Sequence, residues 1–213
     1  MIKVGDTVLN GVLSEFIEVE TAGCALGPNN FNVSDIVKGK KIAVFGLPGA
    51  FTPTCSSKHL PRYNELAGVL KANGVDSVVC LAVNDPFVMA TWKAEENADN
   101  IDFLPDGNGE FSAGMGLLVD KSETGLGKRS WRYSMLVKDG LIEKMFIEPE
   151  EPGDPFKVSD ADTMLNYISP KASPPPRVTF FSKPGCPHCA RQSVIRAGNR
   201  VRYCSARPTL VSP

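Results

Sequence analysis

A thiol closes the segment Pro48-Gly49-Ala50-Phe51-Thr52-Pro53-Thr54-Cys55, just ahead of a stretch with helical periodicity. A cysteine at a helix start meets backbone N–H groups and the positive end of the helix dipole, both of which favour an anion. The thiolate, and not the thiol, is the nucleophile. Thr52, three residues earlier, carries a hydroxyl that can hydrogen-bond a sulfur or a peroxide oxygen. Pro48 and Pro53 stiffen the loop and can shield the sulfur from bulk water. Attack on an O–O bond needs such a thiolate, an aligned substrate and stabilisation of the charge on the departing oxygen; a cation for the last task must come from elsewhere in the chain. The plainer reading of Cys55, a buried structural cysteine, stands against this until the wider pattern is weighed. A second candidate is Cys186-Pro187-His188-Cys189. It follows a strand-like run at 178–181 and stands at a helix start, which is the layout of a dithiol redox site.

The elements that must position these groups are legible from periodicity. Residues 41–46 (KIAVFG) form a short apolar, β-branched and aromatic run, read as a buried strand. After the Cys55 loop, Leu60, Tyr63, Leu66, Ala67 and Leu70 recur at helical spacing, with Pro61 bending the helix or lying near its first turn and Asn73-Gly74 as the stop. Residues 75–83 predict a second buried strand, and 86–97 a helix opened by Pro86. Residues 131–137 and 141–147 are strand-like runs joined through Lys138-Asp139-Gly140, a hairpin signal. Residues 160–168 predict a final helix. The order implies an α/β fold with a mixed central sheet flanked by helices, of which the thioredoxin-like arrangement is one form. At 170–176 three successive prolines make a stiff, extended linker.

Composition is that of an ordinary globular protein, with 42 % hydrophobic and 22 % charged residues. The net charge of −1 gives no reason to expect nucleic-acid binding, but it hides an asymmetry. Seven of the 23 Lys and Arg, and none of the 24 Asp and Glu, lie after residue 176; the tail is +7 and the rest −8. Such a split marks separate modules. No apolar run approaches the ~18–20 residues that cross a bilayer. The first residues lack the pattern of a signal peptide, so the expected compartment is the cytoplasm. Cysteines there are catalytic or metal-binding more often than disulfide-bonded.

The run FGLPGAFTPTCSSKHLPRYNEL closely resembles the type 5 peroxiredoxins, and so do VNDPFVMATW, FLPDGNGEFSAGMG, RSWRYSMLVKDG and EPGDPFKVSDADTML. The resemblance covers roughly residues 1–169 and reverses the plain reading of Cys55. It implies a thioredoxin-like fold and reduction of hydrogen peroxide and alkyl hydroperoxides, with neither a metal nor another cofactor. It makes Cys55 the peroxidatic cysteine, Thr52 its hydroxyl partner, Pro48 the shielding proline and Arg132 the active-site arginine. Arg129 is the neighbouring competitor of Arg132. His59 could be a general base, but a structural hydrogen-bonding role in the helix is the better reading. Oxidised Cys55 would be a sulfenic acid that a second thiol must resolve. Many type 5 relatives carry a resolving cysteine late in the domain, whereas 148–168 has none here. Cys80 falls in a predicted core strand, and Cys24 in a loop-like segment is a lesser candidate partner. The domain therefore reads as one-Cys.

The stretch 177–189 resembles glutaredoxin, with Cys186 as nucleophile and Cys189 as buried partner. Together the two parts resemble bacterial hybrid peroxiredoxin–glutaredoxin proteins. That implies glutathione or glutaredoxin as reductant and assembly into homo-oligomers, dimers or tetramers. After Cys189 the Thr-Val-Pro segment and Gly-Gly turn of a complete glutaredoxin are missing, and five Arg follow from residue 190. Residues 177–213 are expected to be a truncated or frame-shifted, incomplete second thioredoxin-like segment that does not fold by itself. Zinc held by Cys186, His188, Cys189 and Cys204 is an alternative use of those ligands. Three functions remain in view: a thiol peroxidase through Cys55, a general thiol–disulfide oxidoreductase through Cys186 and Cys189, and a redox sensor that records peroxide at Cys55.

Overall fold

In this computed structural model, residues 1–16 and 28–176 are described. The chain runs through strands β1 (Val12–Phe16) and β2 (Pro28–Asn32), helix α1 (Val33–Val37), strand β3 (Lys41–Leu47) and a π-helical turn at Cys55–His59. It continues through α2 (Leu60–Ala72), β4 (Ser77–Ala82), α3 (Pro86–Glu95), β5 (Asp102–Pro105), α4 (Glu110–Gly114) and β6 (Leu118–Asp120). Strands β7 (Lys128–Ser130), β8 (Tyr133–Lys138) and β9 (Leu141–Ile147), then helix α5 (Ala161–Ile168), complete it. Met1–Pro175 form one compact unit. The expectations for Cys24, Cys186, His188, Cys189, Cys204 and the segment 177–213 lie outside the described residues.

The central sheet has the order β5-β4-β3-β8-β9. Strands β3, β4 and β5 are parallel, while β8 and β9 run antiparallel on the other side of β3. The mixed sheet flanked by helices agrees with the expected thioredoxin-like α/β fold. Period-2 alternation splits the sheet into two apolar faces. Ala43, Phe45, Leu47, Val78, Cys80 and Ala82 point into one core with α2, α3 and α5. Ile42, Val44, Val79, Leu81, Met135 and Val137 point into the other, which Leu13, Val33, Val37 and Phe111 cover. Both helix caps that matter for the site are aspartates: the Asp85 carboxylate accepts from the N–H groups of Phe87 and Val88, and that of Asp160 from Asp162 and Thr163.

The structure adds what periodicity missed and moves two boundaries. Strand β5 is only four residues long and ends in proline, so it carries too little pattern to be read alone. Strands β1, β2, β6 and β7 and helices α1 and α4 are short in the same way. The strand-like run at 131–137 starts only at Tyr133. Trp131 and Arg132 lie in a break between β7 and β8, where the Trp131 N–H donates to the Leu117 carbonyl and the Arg132 carbonyl accepts from Glu148. The helix predicted over 86–97 ends two residues early, and Asn97 adopts φ 51°.

Pro61 lies in the first turn of α2, as expected, although the helical run as a whole begins earlier, at residue 53. Proline has no N–H to give to residue 57, and its ring crowds that carbonyl. The preceding turn widens instead, so that the Leu60 N–H reaches back five residues to the Cys55 carbonyl. Gly46 has a separate task. It lies opposite Tyr133 in the β3–β8 ladder, and a Cβ there would fall 2.1 Å from the ring. Only glycine lets the ring lie across β3, and so fixes the strand that directly follows Arg132.

Candidate active site

Cys55 lies at the third position of the helical run, on the widened turn, and its side chain is 0 % exposed. The loop before it is buried at Pro48 and Gly49. Asn84, from the end of β4, holds it by accepting the Ala50 N–H at 3.0 Å. Phe51 takes a positive φ of 60°, uncommon for a bulky residue, so the loop stores backbone strain beside the thiol. The Thr52 hydroxyl donates to the Gly49 carbonyl at 2.8 Å. Its proton is therefore committed within the loop, and its oxygen remains an acceptor. No hydrogen bond joins Thr52 to Cys55 among the described residues.

Arg132 is brought to the sulfur from the β7–β8 break. It is 1 % exposed, and its Nη1 lies 3.5 Å from the Cys55 Sγ. The same Nη1 lies 3.1 Å from the His59 Nδ1. Nη2 donates to both carboxylate oxygens of Asp154 at 2.5 and 2.6 Å. Nε is buried without a partner among the described residues. Arg129, three residues earlier, goes elsewhere: Nη1 donates to the Val83 carbonyl and Nε to that of Leu126, both at 2.8 Å. The two arginines are thus separated by what they hold. One bridges carbonyls of the frame, and the other faces the thiol.

His59 is fully buried between the Phe45, Tyr63 and Phe156 rings. Burial pushes its pKa well below the usual histidine range, and the Arg132 charge adds to the effect. A guanidinium only donates. The His59 Nδ1 must therefore accept from Arg132, and Nε2 carries the proton toward the Ser159 carbonyl, 3.2 Å away. The lone pair a general base would need is already used, so His59 serves as an acceptor that steers Arg132.

The far wall of the site is the loop between β9 and α5, which the sequence reading did not assign to it. Phe156 covers Arg132, with Cζ 5.6 Å from the ring centroid. Glu148, 2 % exposed, anchors the loop. One carboxylate oxygen accepts from the Val158 and Ser159 N–H groups and the Ser159 hydroxyl, and the other from the Lys157 N–H, all at 2.8 Å. Burial disfavours its charge, but these bonds outweigh burial and hold its pKa below the ordinary carboxylate value. A carboxyl whose folded pKa is depressed stabilises the fold above its unfolded value of about 4.3, and the contribution is lost as pH falls through the folded pKa. Glu148→Gln sets an amide NH2 against a loop donor. The expected loss is about 2 kcal/mol at pH 7, roughly 4–8 °C in Tm. The gap to wild type should close as pH drops below 4, and thermal unfolding across pH 3 to 7 checks this.

Cys80, in β4, is 0 % exposed, and burial raises its pKa well above that of an ordinary thiol, which makes it an inert core residue. Among the described residues there is no cluster of three or more His, Cys, Asp or Glu suited to a metal. No described helix is long and apolar enough to cross a membrane.

Comparison with known proteins places the chain among similar folds and sequences. The Redoxin family model matches residues 3–165. The chain is 63 % identical over 158 residues to the hybrid peroxiredoxin hyPrx5 of Haemophilus influenzae, a match spanning 74 % of this chain and 66 % of that protein. It is 57 % identical over 157 residues to peroxiredoxin sll1621 of Synechocystis, covering 70 % of this chain and 83 % of that one. Among solved structures, reduced Prx3 of Vibrio vulnificus in complex with H2O2 superposes with a TM-score of 0.72 at 39 % identity, over 79 % of this chain and 99 % of the other.

Proposed function

The chain belongs to the Redoxin family, as a peroxiredoxin of the type 5 kind, and on that premise we propose that it reduces hydrogen peroxide and alkyl hydroperoxides through Cys55. The observation that carries the reading is the Arg132 guanidinium 3.5 Å from a buried thiol at a helix start. The Cys55 thiolate attacks one peroxide oxygen. An S–O bond forms, the O–O bond breaks, and the other oxygen leaves as alkoxide or hydroxide and takes up a proton. Arg132 favours the thiolate and meets the charge that develops on the departing oxygen. Its unpartnered Nε–H is a further donor within the site. Pro48 keeps water from the sulfur, and the Thr52 oxygen accepts a hydrogen bond from the bound peroxide.

The sulfenic acid then condenses with an external thiol, releasing water, and a second thiol restores Cys55 with formation of a disulfide. Glutathione, delivered directly or through a glutaredoxin, fits as reductant for two reasons. Among the described residues the only cysteine besides Cys55 is the inert Cys80, and the relative from Haemophilus influenzae is named a hybrid peroxiredoxin. In this reading the protein acts as a homo-oligomer in the cytoplasm, and Cys186 and Cys189 are a second redox pair. The test is peroxide consumption by the full chain with glutathione alone, with glutathione plus glutaredoxin, and with thioredoxin plus its reductase. Turnover with either glutathione system is expected. Turnover with thioredoxin alone would refute the reductant, and no turnover with any of them would refute the peroxidase reading.

A further inference from the structure

The Asp154 carboxylate holds the arginine of the site. It accepts twice from the Arg132 Nη2. Among the described residues Asp154 is the ion-pair partner of this buried arginine. It is itself 39 % exposed, so it reaches inward from a loop at the rim. That loop is fixed independently: Glu148 binds the N–H groups of 157–159, and the Lys121 Nζ donates to the Gly153 carbonyl at 3.4 Å. Asp154 is therefore a fixed point against which the arginine is registered. Its charge works the other way. A carboxylate bound to the guanidinium draws on the same positive charge that favours the Cys55 thiolate. The favourable consequence of the contact is thus geometric, and the electrostatic one is adverse.

We propose that Asp154 is a positioning residue of the peroxide reaction, its carboxylate gripping the Arg132 Nη2 so that Nη1 of the same guanidinium meets the Cys55 sulfur in one fixed geometry. The assignment rests on the peroxide-reducing reading and deepens it. Misplacement of a reacting group by about 1 Å can cost on the order of a hundredfold in rate. In Asp154→Ala the second-order rate constant for hydrogen peroxide, followed by stopped-flow fluorescence of the reduced protein, should fall about 10–100-fold. In Asp154→Asn, which keeps one acceptor oxygen, the fall should be smaller. Alkylation of Cys55 by iodoacetamide at pH 7 needs a thiolate but no aligned arginine, so it should stay level or accelerate in both variants. A merely structural role would slow both reactions together. Because Asp154 acts through Arg132, adding Asp154→Ala to Arg132→Ala should slow the peroxide reaction by less than about threefold further.

A peroxide rate within about twofold of wild type in Asp154→Ala would overturn the proposal. So would a parallel loss of alkylation, or full additivity with Arg132→Ala. If the wild type itself shows no reaction with peroxide, the failure belongs to the underlying reading of Cys55, since the Asp154 comparison starts from a reactive wild type.

Discussion

Cys55→Ser is expected to lower peroxide consumption by more than about a thousandfold, the order of loss when a nucleophile is deleted from an otherwise intact site. The side chain keeps its place at the start of the helical run, beside Arg132 and the widened turn. The change removes chemistry more than structure, because an alcohol does not ionise at neutral pH and is a far weaker nucleophile toward an O–O bond than a thiolate. The fold should persist, since the site of substitution is small and Arg132 stays anchored on Asp154 and His59. Peroxide loss measured with an excess of glutathione and glutaredoxin, next to the circular dichroism and Tm of the variant, checks both halves. Retention of a tenth or more of the activity in a folded variant would place the reacting sulfur elsewhere. Cys80 is a poor substitute, being sealed in β4 with its thiol held protonated by burial.

Arg132→Ala is the second large effect. The guanidinium gives one N–H direction to the Cys55 sulfur, one to His59 and two to Asp154. Loss of one preorganised charge-stabilising donor costs about 10²–10³-fold in rate, and that range is expected for the peroxide reaction of this variant. Arg132→Lys separates charge from geometry. Lysine keeps a positive charge but is a compact ammonium that cannot span sulfur, imidazole and carboxylate at once. It should recover part of the alkylation rate of Cys55 yet remain at least about tenfold slow with peroxide. Arg129→Ala is the contrast. It removes donors to the Val83 and Leu126 carbonyls, so a fall in Tm with the peroxide rate nearly kept is expected. If Arg129→Ala lost the peroxide rate and Arg132→Ala did not, the assignment of the two arginines would have to be exchanged. Stopped-flow rates and thermal unfolding of the four proteins decide this.

Much of the site could be read before any coordinates because its chemistry is local in sequence. Cys55, Thr52 and Pro48 share one loop, and a loop entering a helix fixes what surrounds a thiol over a few residues. Continuous apolar runs in 41–46 and 75–83 gave the core of the sheet, because those strands are buried on both faces, and helical spacing after Leu60 gave its first helix, because one stripe of that helix is buried. Short pieces such as β5, or the β6–β7 pair, hold too few residues for a period to emerge, and the break before Tyr133 leaves no mark in a run of strand-forming side chains.

The sequence by itself singled out Cys55 as the candidate sulfur, the loop that holds it and the frame on which the loop is mounted. The resemblance named Arg132 ahead of Arg129 as the cation, and the tertiary structure gave the geometry that separates the two. Arg129 and Arg132 lie three residues apart in similar surroundings, and only the packing of the β7–β8 break turns one toward carbonyls and the other toward Cys55. It also decided that His59 accepts from the arginine in place of acting as a base, and that Asp154 and Glu148 belong to the site at all. The physical reason is range. Helix dipoles, loop stiffness and periodicity act over a few residues and are written in local sequence. The partner of a buried charge is set by which distant side chain the fold delivers within hydrogen-bond reach, and no local pattern encodes that.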